Sequence, residues 1–321
     1  MSGEVMSAKV RDTSTFDGVQ AAERLPEQTH VGAVHLQISD LQRSLEFYQG
    51  VLGMGVLERE AGRASLGVRG AARPLAYLVE TAGVAPVPRR GRFGLYHFAI
   101  LLPDRAALGR FAAHVLNLGL RPGMADHAVS EALYLSDPDG LGIEVYADRP
   151  RASWTYRGDE LAMTTEPLDI AGLIAANQAD EWRGAPAGTS MGHVHLHVGD
   201  LAQAEAFYHR ALGFDKKVWS YPGALFLSAG GYHHHVGTNI WSPGPSARAD
   251  EARLLEWELV VPNHGDTNDI AQRLRAGGYS VADAPDGMRA SDAWGTQVCV
   301  RSESHPPPLA FDSGELRRDG A

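Results

Sequence analysis

From Val31 to Ile38 apolar and polar residues alternate (VGAVHLQI). Asp40 then opens a stretch whose apolar positions recur every three or four residues, and a Leu-Gly pair closes it. This is the pattern of a half-buried strand, an N-capped amphipathic helix and a glycine stop. It returns in MGHVHLHVGDLAQAEAFYHRALGFDKKVW, with Asp200 at the cap. It returns more loosely in GLYHFAILLPDRAALGRFAAHVLNLGLRPG and LLEWELVVPNHGDTNDIAQRLRAGGYSVAD, where Asp104 and Asn263 take the cap. More strands follow each helix before the next unit begins, so the repeating unit is βαβββ, four times over, at 30–80, 94–148, 192–242 and 253–302. The expected fold class is α+β. Phe47, Tyr48, Phe207 and Tyr208 fall on the apolar stripes of their helices and are expected in the core.

The repeats divide the chain. Residues 1–29 are polar and aperiodic and read as a loose arm; 30–150 hold the first two units and 191–304 the last two. Between them 151–190 carries Trp, Pro and Asp and a short helical pattern around Ile170–Asn177, the composition of a linker that packs; 305–321 is a tail. With 44% hydrophobic and 21% charged residues the chain is a globular protein with ample core. A net charge of −10 without a Lys/Arg cluster argues against a nucleic-acid partner. Cys299 is the lone cysteine, which excludes an intrachain disulfide and a Cys-rich metal site. No run reaches membrane-spanning length and no secretory pattern opens the chain, so the expected location is cytoplasmic with no membrane partner. A homo-oligomer stays open.

Fourteen histidines, several of them clustered, bring in the chemistry of metals. In SEALYLSDPDGLGIEVYAD a strand, a Pro-Asp-Gly turn and a second strand place Glu144 on one face with Gly142 and Tyr146. A carboxylate among apolar neighbours is costly to bury without a cation or hydrogen-bond partners. Either Glu144 faces solvent beside Asp148 and Arg149, or a partner comes from elsewhere. In HVHLH, His193, His195 and His197 share one strand face. In GGYHHHVGTNIW alternation would set His233 and His235 on one face and His234 on the other, unless the cluster is an incidental surface tract.

The βαβββ unit with its "DL…FY…LG" helix resembles the vicinal oxygen chelate superfamily over nearly all of the chain after residue 30. That resemblance implies units paired into half-open β-cups, with first and last strands aiming ligands at a central metal. The family's first-strand ligand stands seven residues before the helix cap, which selects Ala33, His97, His193 and Glu256; the last-strand slot is Glu144 in the second unit and Cys299 in the fourth. Units one and four have thus lost the constellation and show no donors. Units two and three keep His97, Glu144 and His193, so unit two is expected to pair with three and one with four. Two imidazoles and a carboxylate suit non-haem Fe(II), with Mn(II) open and tetrahedral zinc able to use the same donors.

From His127 to Glu144, "H-x5-LY-x2-DPDG-x3-E" is similar to the extradiol dioxygenase signature, departing from it at Ala125. By that resemblance Tyr134 and His127 hold substrate oxygens. His234 is the acid-base residue over the open metal face, although which of His233, His234 and His235 takes that place stays open. His195 is the candidate for substrate contact, and His35, which matches His195, is structural or cavity-lining. The implied reaction is O2-dependent meta-cleavage of a catechol or substituted catechol. The alternatives are a hydroquinone-cleaving dioxygenase, a glyoxalase-type isomerase or lyase, and a non-enzymatic small-molecule-sequestering module.

Overall fold

The computed structural model describes residues 15–16, 19–20, 24–88, 91–176, 180–285 and 287–303. The tail 305–321 and most of the arm 1–29 lie outside the described residues. The first module runs β1 (His30–Ile38), α1 (Leu41–Gly50), β2 (Gly55–Glu60), β3 (Arg63–Gly67) and β4 (Ala76–Glu80). The second runs β5 (Gly94–Leu101), α2 (Arg105–Asn117), β6 (Gly123–Asp126), β7 (Ser130–Ser136) and β8 (Gly142–Asp148). A short helix, α3 (Ile170–Ala175), lies in the linker. The third module has β9 (Ser190–His197), a helix α4 that is α over Leu201–Ala204 and π over Glu205–Ala211, then β10 (Asp215–Val218), β11 (Ala224–Ser228) and β12 (Val236–Asn239). The fourth has β13 (Arg253–Val261), α5 (His264–Ala276), β14 (Val281–Ala284), β15 (Gly287–Ser291) and β16 (Gln297–Ser302).

The caps explain where these helices start. Asp40, Asp104, Asp200 and Asn263 each accept a hydrogen bond from the backbone N–H three residues on, and Asn263 completes a capping box with Asp266. Only the π turn of α4 departs from the periodicity, which predicts an uninterrupted α-helix.

Two curled eight-stranded sheets result, in the orders β10-β11-β12-β9-β5-β8-β7-β6 and β14-β15-β16-β13-β1-β4-β3-β2. Module two therefore shares a sheet with three, and module one with four. The central seam of the first is the antiparallel pair β9/β5, with Ala99 opposite His193; on its other side Ala99 pairs in parallel with Glu144 of β8. One small, fully buried alanine thus sits between the two strands that bring the acidic and basic donors together.

One cluster of buried apolar side chains runs through both sheets and the helices, with Tyr48, Phe98, Phe111, Tyr208 and Trp257 among its largest members. The helix tyrosines do more than fill space. The Tyr48 hydroxyl donates to Asp137 at 3.3 Å and the Tyr208 hydroxyl to Asp292 at 2.8 Å, tying each helix to a turn of the following module. Asp139, wholly buried in the first of those turns, accepts from the Ser39 backbone N–H and hydroxyl and from Arg43. That turn leads directly into β8 and so helps set the position of Glu144.

Candidate metal centre

His97 on β5, Glu144 on β8 and His193 on β9 converge at the middle of their cup, each with one donor atom within 4.8 Å of the others. All three are buried, at 4%, 3% and 1% exposure. Glu144 Oε2 lies 3.0 Å from His97 Nε2 and 3.2 Å from His193 Nε2. Solvent does not reach the carboxylate, and Arg149 pairs instead with Asp126 and Glu131. Burial lowers the His193 imidazole to about 4, against the opposing pull of Glu144. Burial pushes the Glu144 carboxyl up, but His193 and His97 outweigh it and hold it well below its ordinary value.

The donor set fits a cation. A buried carboxylate whose ion-pair contacts are imidazoles alone, one of them the neutral His193, lacks a full compensating charge. Both nitrogens of His97 are buried without a hydrogen bond; Nε2 approaches Glu144 closely but not in hydrogen-bonding alignment. His193 Nε2 hydrogen-bonds the same carboxylate oxygen at 3.2 Å, so the three donor atoms meet at one point as ligands do, with His97 left for a cation to satisfy.

Beside the three donors is a cavity of about 240 Å3, lined by Tyr96, His127, Tyr134, His195, Tyr221, Phe226, His234 and Trp241, and by Met163 and Thr165 from the linker. Of the residues singled out from the sequence it brings together His97, His127, Tyr134, Glu144, His195 and His234, and His193 touches His234 ring to ring at 4.0 Å between centroids. His127 Nδ1 donates to the Thr164 carbonyl at 2.7 Å, so its Nε2 is the acceptor for the Tyr134 hydroxyl, also at 2.7 Å. Burial and then the Glu144 charge push the Tyr134 phenol well up, so it keeps the proton it donates. His195 accepts from Asn239 Nδ2 at 3.0 Å, the amide being oriented by the Trp241 N–H on its Oδ1.

The three consecutive histidines precede β12 instead of lying in it, and all are buried, which overturns both the strand alternation and the surface tract. His233 turns to Asp148, His234 lines the cavity, and His235 accepts from the Ala229 N–H. A turn can send three successive side chains in three directions; a strand cannot.

Residues 29–145 and 190–300 match the family model described as the glyoxalase/bleomycin resistance protein/dioxygenase superfamily. The chain belongs to that superfamily. It is 45% identical over 271 residues, 83% of this chain and 94% of the relative, to the catechol-2,3-dioxygenase of Bacillus subtilis (strain 168). Among solved structures, a Bacillus subtilis protein described provisionally as a dioxygenase matches with a TM-score of 0.62 at 14% identity, covering 90% of this chain and 88% of that one. Glyoxalase I from Zea mays matches with a TM-score of 0.52 at 16% identity, covering 86% and 93%. The two structures establish the shared superfamily fold.

Register now defines the ligand slots of this superfamily member more closely than counting does. Glu144 stands opposite Ala99, two residues past His97; the equivalent residue opposite His195, two past His193, is Gly237. A Cβ there would fall 2.9 Å from the His195 ring, so the ring occupies the place of a fourth ligand. The slots of the other cup are Ala33, Tyr77, Glu256 and Cys299. The expectation that this cup holds no donors is overturned. Glu256 and Glu258 are both buried in it, Glu256 bonded to Arg289 and Glu258 to Arg301 and His35. His35 is thus structural, stacked on Tyr77. The carboxylates are matched by guanidinium groups, and no metal triad forms among the described residues of that cup.

Proposed function

We propose that this chain is an extradiol dioxygenase that opens a catechol or substituted catechol beside its diol, using Fe(II), with Mn(II) as the alternative ion. The carrying observation is the arrangement of three donors, a fourth slot that offers none because Gly237 stands there under the His195 ring, and an aromatic-walled cavity against them. The 45% identical catechol-2,3-dioxygenase supports the reaction class. A glyoxalase-type site would ask for a fourth protein donor, and the His195 ring fills its place. Among the described residues no helix is long and apolar enough to cross a membrane.

Fe(II) held by His97, Glu144 and His193 would supply the point where diol and O2 meet and through which electrons pass from ring to oxygen. The protein's own groups bind, orient and manage protons. Tyr221, Phe226 and Trp241 form apolar walls for the ring. Tyr134 donates to His127, so its oxygen lone pairs are free to accept a substrate hydroxyl proton while its own proton moves to His127 Nε2. Burial, and then the neighbouring imidazoles, hold His234 well below its ordinary pKa, so it enters the reaction neutral, as a proton acceptor. His195, with Nε2 committed to Asn239, keeps its proton on Nδ1 as a donor for substrate oxygen.

The test is anaerobic reconstitution with Fe(II), then catechol and air, read as visible absorbance of the ring-opened product, beside His193→Ala. Product from the parent and none from the variant supports the reading and the cross-half site. Tight iron binding without ring opening overturns the substrate class.

A further inference from the structure

His233 is not part of the donor set and does not line the cavity, yet it is completely buried between Asp148 and His234. Its Nε2 lies 2.9 Å from Asp148 Oδ1, and its Nδ1 lies 2.7 Å from His234 Nδ1. A direct imidazole-to-imidazole contact through like-named nitrogens holds only one proton, so one ring must donate and the other accept. The rest of the network decides which.

Asp148 Oδ1 also accepts from the Tyr232 hydroxyl at 3.1 Å, and the Tyr146 hydroxyl in turn lies 2.6 Å from Tyr232. Gly192 makes room for this arm, since a Cβ there would fall 1.8 Å from the Tyr146 hydroxyl. A carboxylate oxygen flanked by two donors acts only as acceptor, so His233 carries its proton on Nε2. As the Nε2–H tautomer, His233 offers a bare Nδ1, which accepts from His234 Nδ1–H. His234 is left with a bare Nε2, and among the described residues that nitrogen has no hydrogen-bond partner while its ring lines the cavity.

We propose that Asp148 and His233 are positioning residues that hold His234 in the Nδ1–H tautomer, with the lone pair of Nε2 turned to the substrate. The proposal rests on the reading of His234 as the proton acceptor at the open face. Asp148 ends the same strand that carries Glu144, four residues on and on the same face, so one strand orients both a metal donor and the proton acceptor beside it. Without the relay His234 would take either tautomer, and the one with its proton on Nε2 would meet a substrate hydroxyl donor to donor.

The test is 15N NMR of histidine-labelled protein loaded with diamagnetic Zn(II), with Asp148→Asn and His233→Phe beside it. The nitrogen shifts report directly which ring nitrogen holds the proton. Expected is a wild-type His234 with Nδ1 protonated and Nε2 bare, and a mixed or reversed tautomer in Asp148→Asn, whose amide can also donate. With Fe(II) and catechol, both variants are expected to lose turnover by about 10- to 100-fold with KM and metal content unchanged. A wild-type spectrum with the proton on Nε2 overturns the proposal even if both variants fail to fold, and so does an unchanged tautomer in a folded Asp148→Asn. A bare Nε2 in a protein that opens no catechol upholds the relay and overturns only the assigned reaction.

Discussion

Replacing Asp139 with alanine should unlock the first module from the turn that feeds β8. The side chain is fully buried, and it accepts the Ser39 N–H at 2.8 Å, the Ser39 hydroxyl at 2.6 Å and Arg43. Hydrogen bonds to a charged group contribute about 1.5–3 kcal/mol each when buried. Three discounts apply. Arg43 is 46% exposed, so its pair with Asp139 contributes under about 1 kcal/mol. Ser39 is half-buried, so water recovers part of its two bonds. The three bonds share one acceptor group and are not additive. The remaining loss is about 3 kcal/mol, which lowers the melting temperature by roughly 6–12 °C at the 2–4 °C per kcal/mol typical of larger domains. Melts at one scan rate suit a chain of this size, with Arg43→Met as the control that removes only the exposed pair and should cost under about 1 kcal/mol. An Asp139→Ala protein melting within 2 °C of the parent, or no lower than Arg43→Met, would refute the reasoning.

Glu144→Gln should abolish the stabilisation conferred by metal: at a hundredfold excess over Kd the parent gains about 2.7 kcal/mol, and an equal gain in the variant would show that the carboxylate is no ligand. Tyr134→Phe should lower kcat with catechol roughly 100-fold while iron content stays the same; a change under threefold would remove the phenol from the proton path. Glu258 gives a pH signature. Burial pushes its carboxyl up, but His35 and Arg301 draw it from 4.5 down to about 2. A depressed folded-state pKa stabilises the protein above pH 4.5 and loses that stability as the pH falls toward 2, about 3 kcal/mol in all. The stability deficit of Glu258→Gln should therefore shrink between pH 5 and 3 in urea titrations, and a constant deficit would contradict the assignment.

The four caps were legible because each is written locally, and the module pairing and the convergence of His97, Glu144 and His193 followed from the superfamily resemblance, whose ligand slots are counted from those caps and turns. What was not legible depends on contacts between distant segments. Asp148 and His233 are separated by 85 residues, and nothing in either stretch announces the other. Tyr96, Tyr221, Phe226 and Trp241 belong to strand and loop patterns that read equally well as core, and only the curl of the sheet turns them to the cavity. Met163 and Thr165 come from a linker without periodicity. The π turn in α4 does not disturb the apolar spacing that marks a helix.

The two cups solve one electrostatic problem in two ways, and the contrast says how much metal the chain should bind. Both bury carboxylates in the cup, Glu256 and Glu258 on β13 and Glu144 on β8. In the cup of modules one and four, Arg289 meets Glu256 at 2.7 Å and Arg301 meets Glu258 at 2.8 Å, so the compensating cations are covalent parts of the protein. In the cup of modules two and three, the ion-pair contacts of Glu144 are with imidazoles alone, of which His193 is neutral at pH 7. A divalent ion entering the first cup would have to displace guanidinium groups already hydrogen-bonded to their carboxylates, with Ala33 and Tyr77 in two of the four ligand slots. One entering the second would meet three donors engaged only with one another, through the His193–Glu144 hydrogen bond and the His97–Glu144 contact. Titration of metal-free protein with Fe(II) or Zn(II) should therefore saturate at one ion per chain, and His193→Ala should remove that one. Saturation at two tight equivalents would mean that the arginine pairs yield to a metal, and the account of the first cup as closed by its own cations would fall.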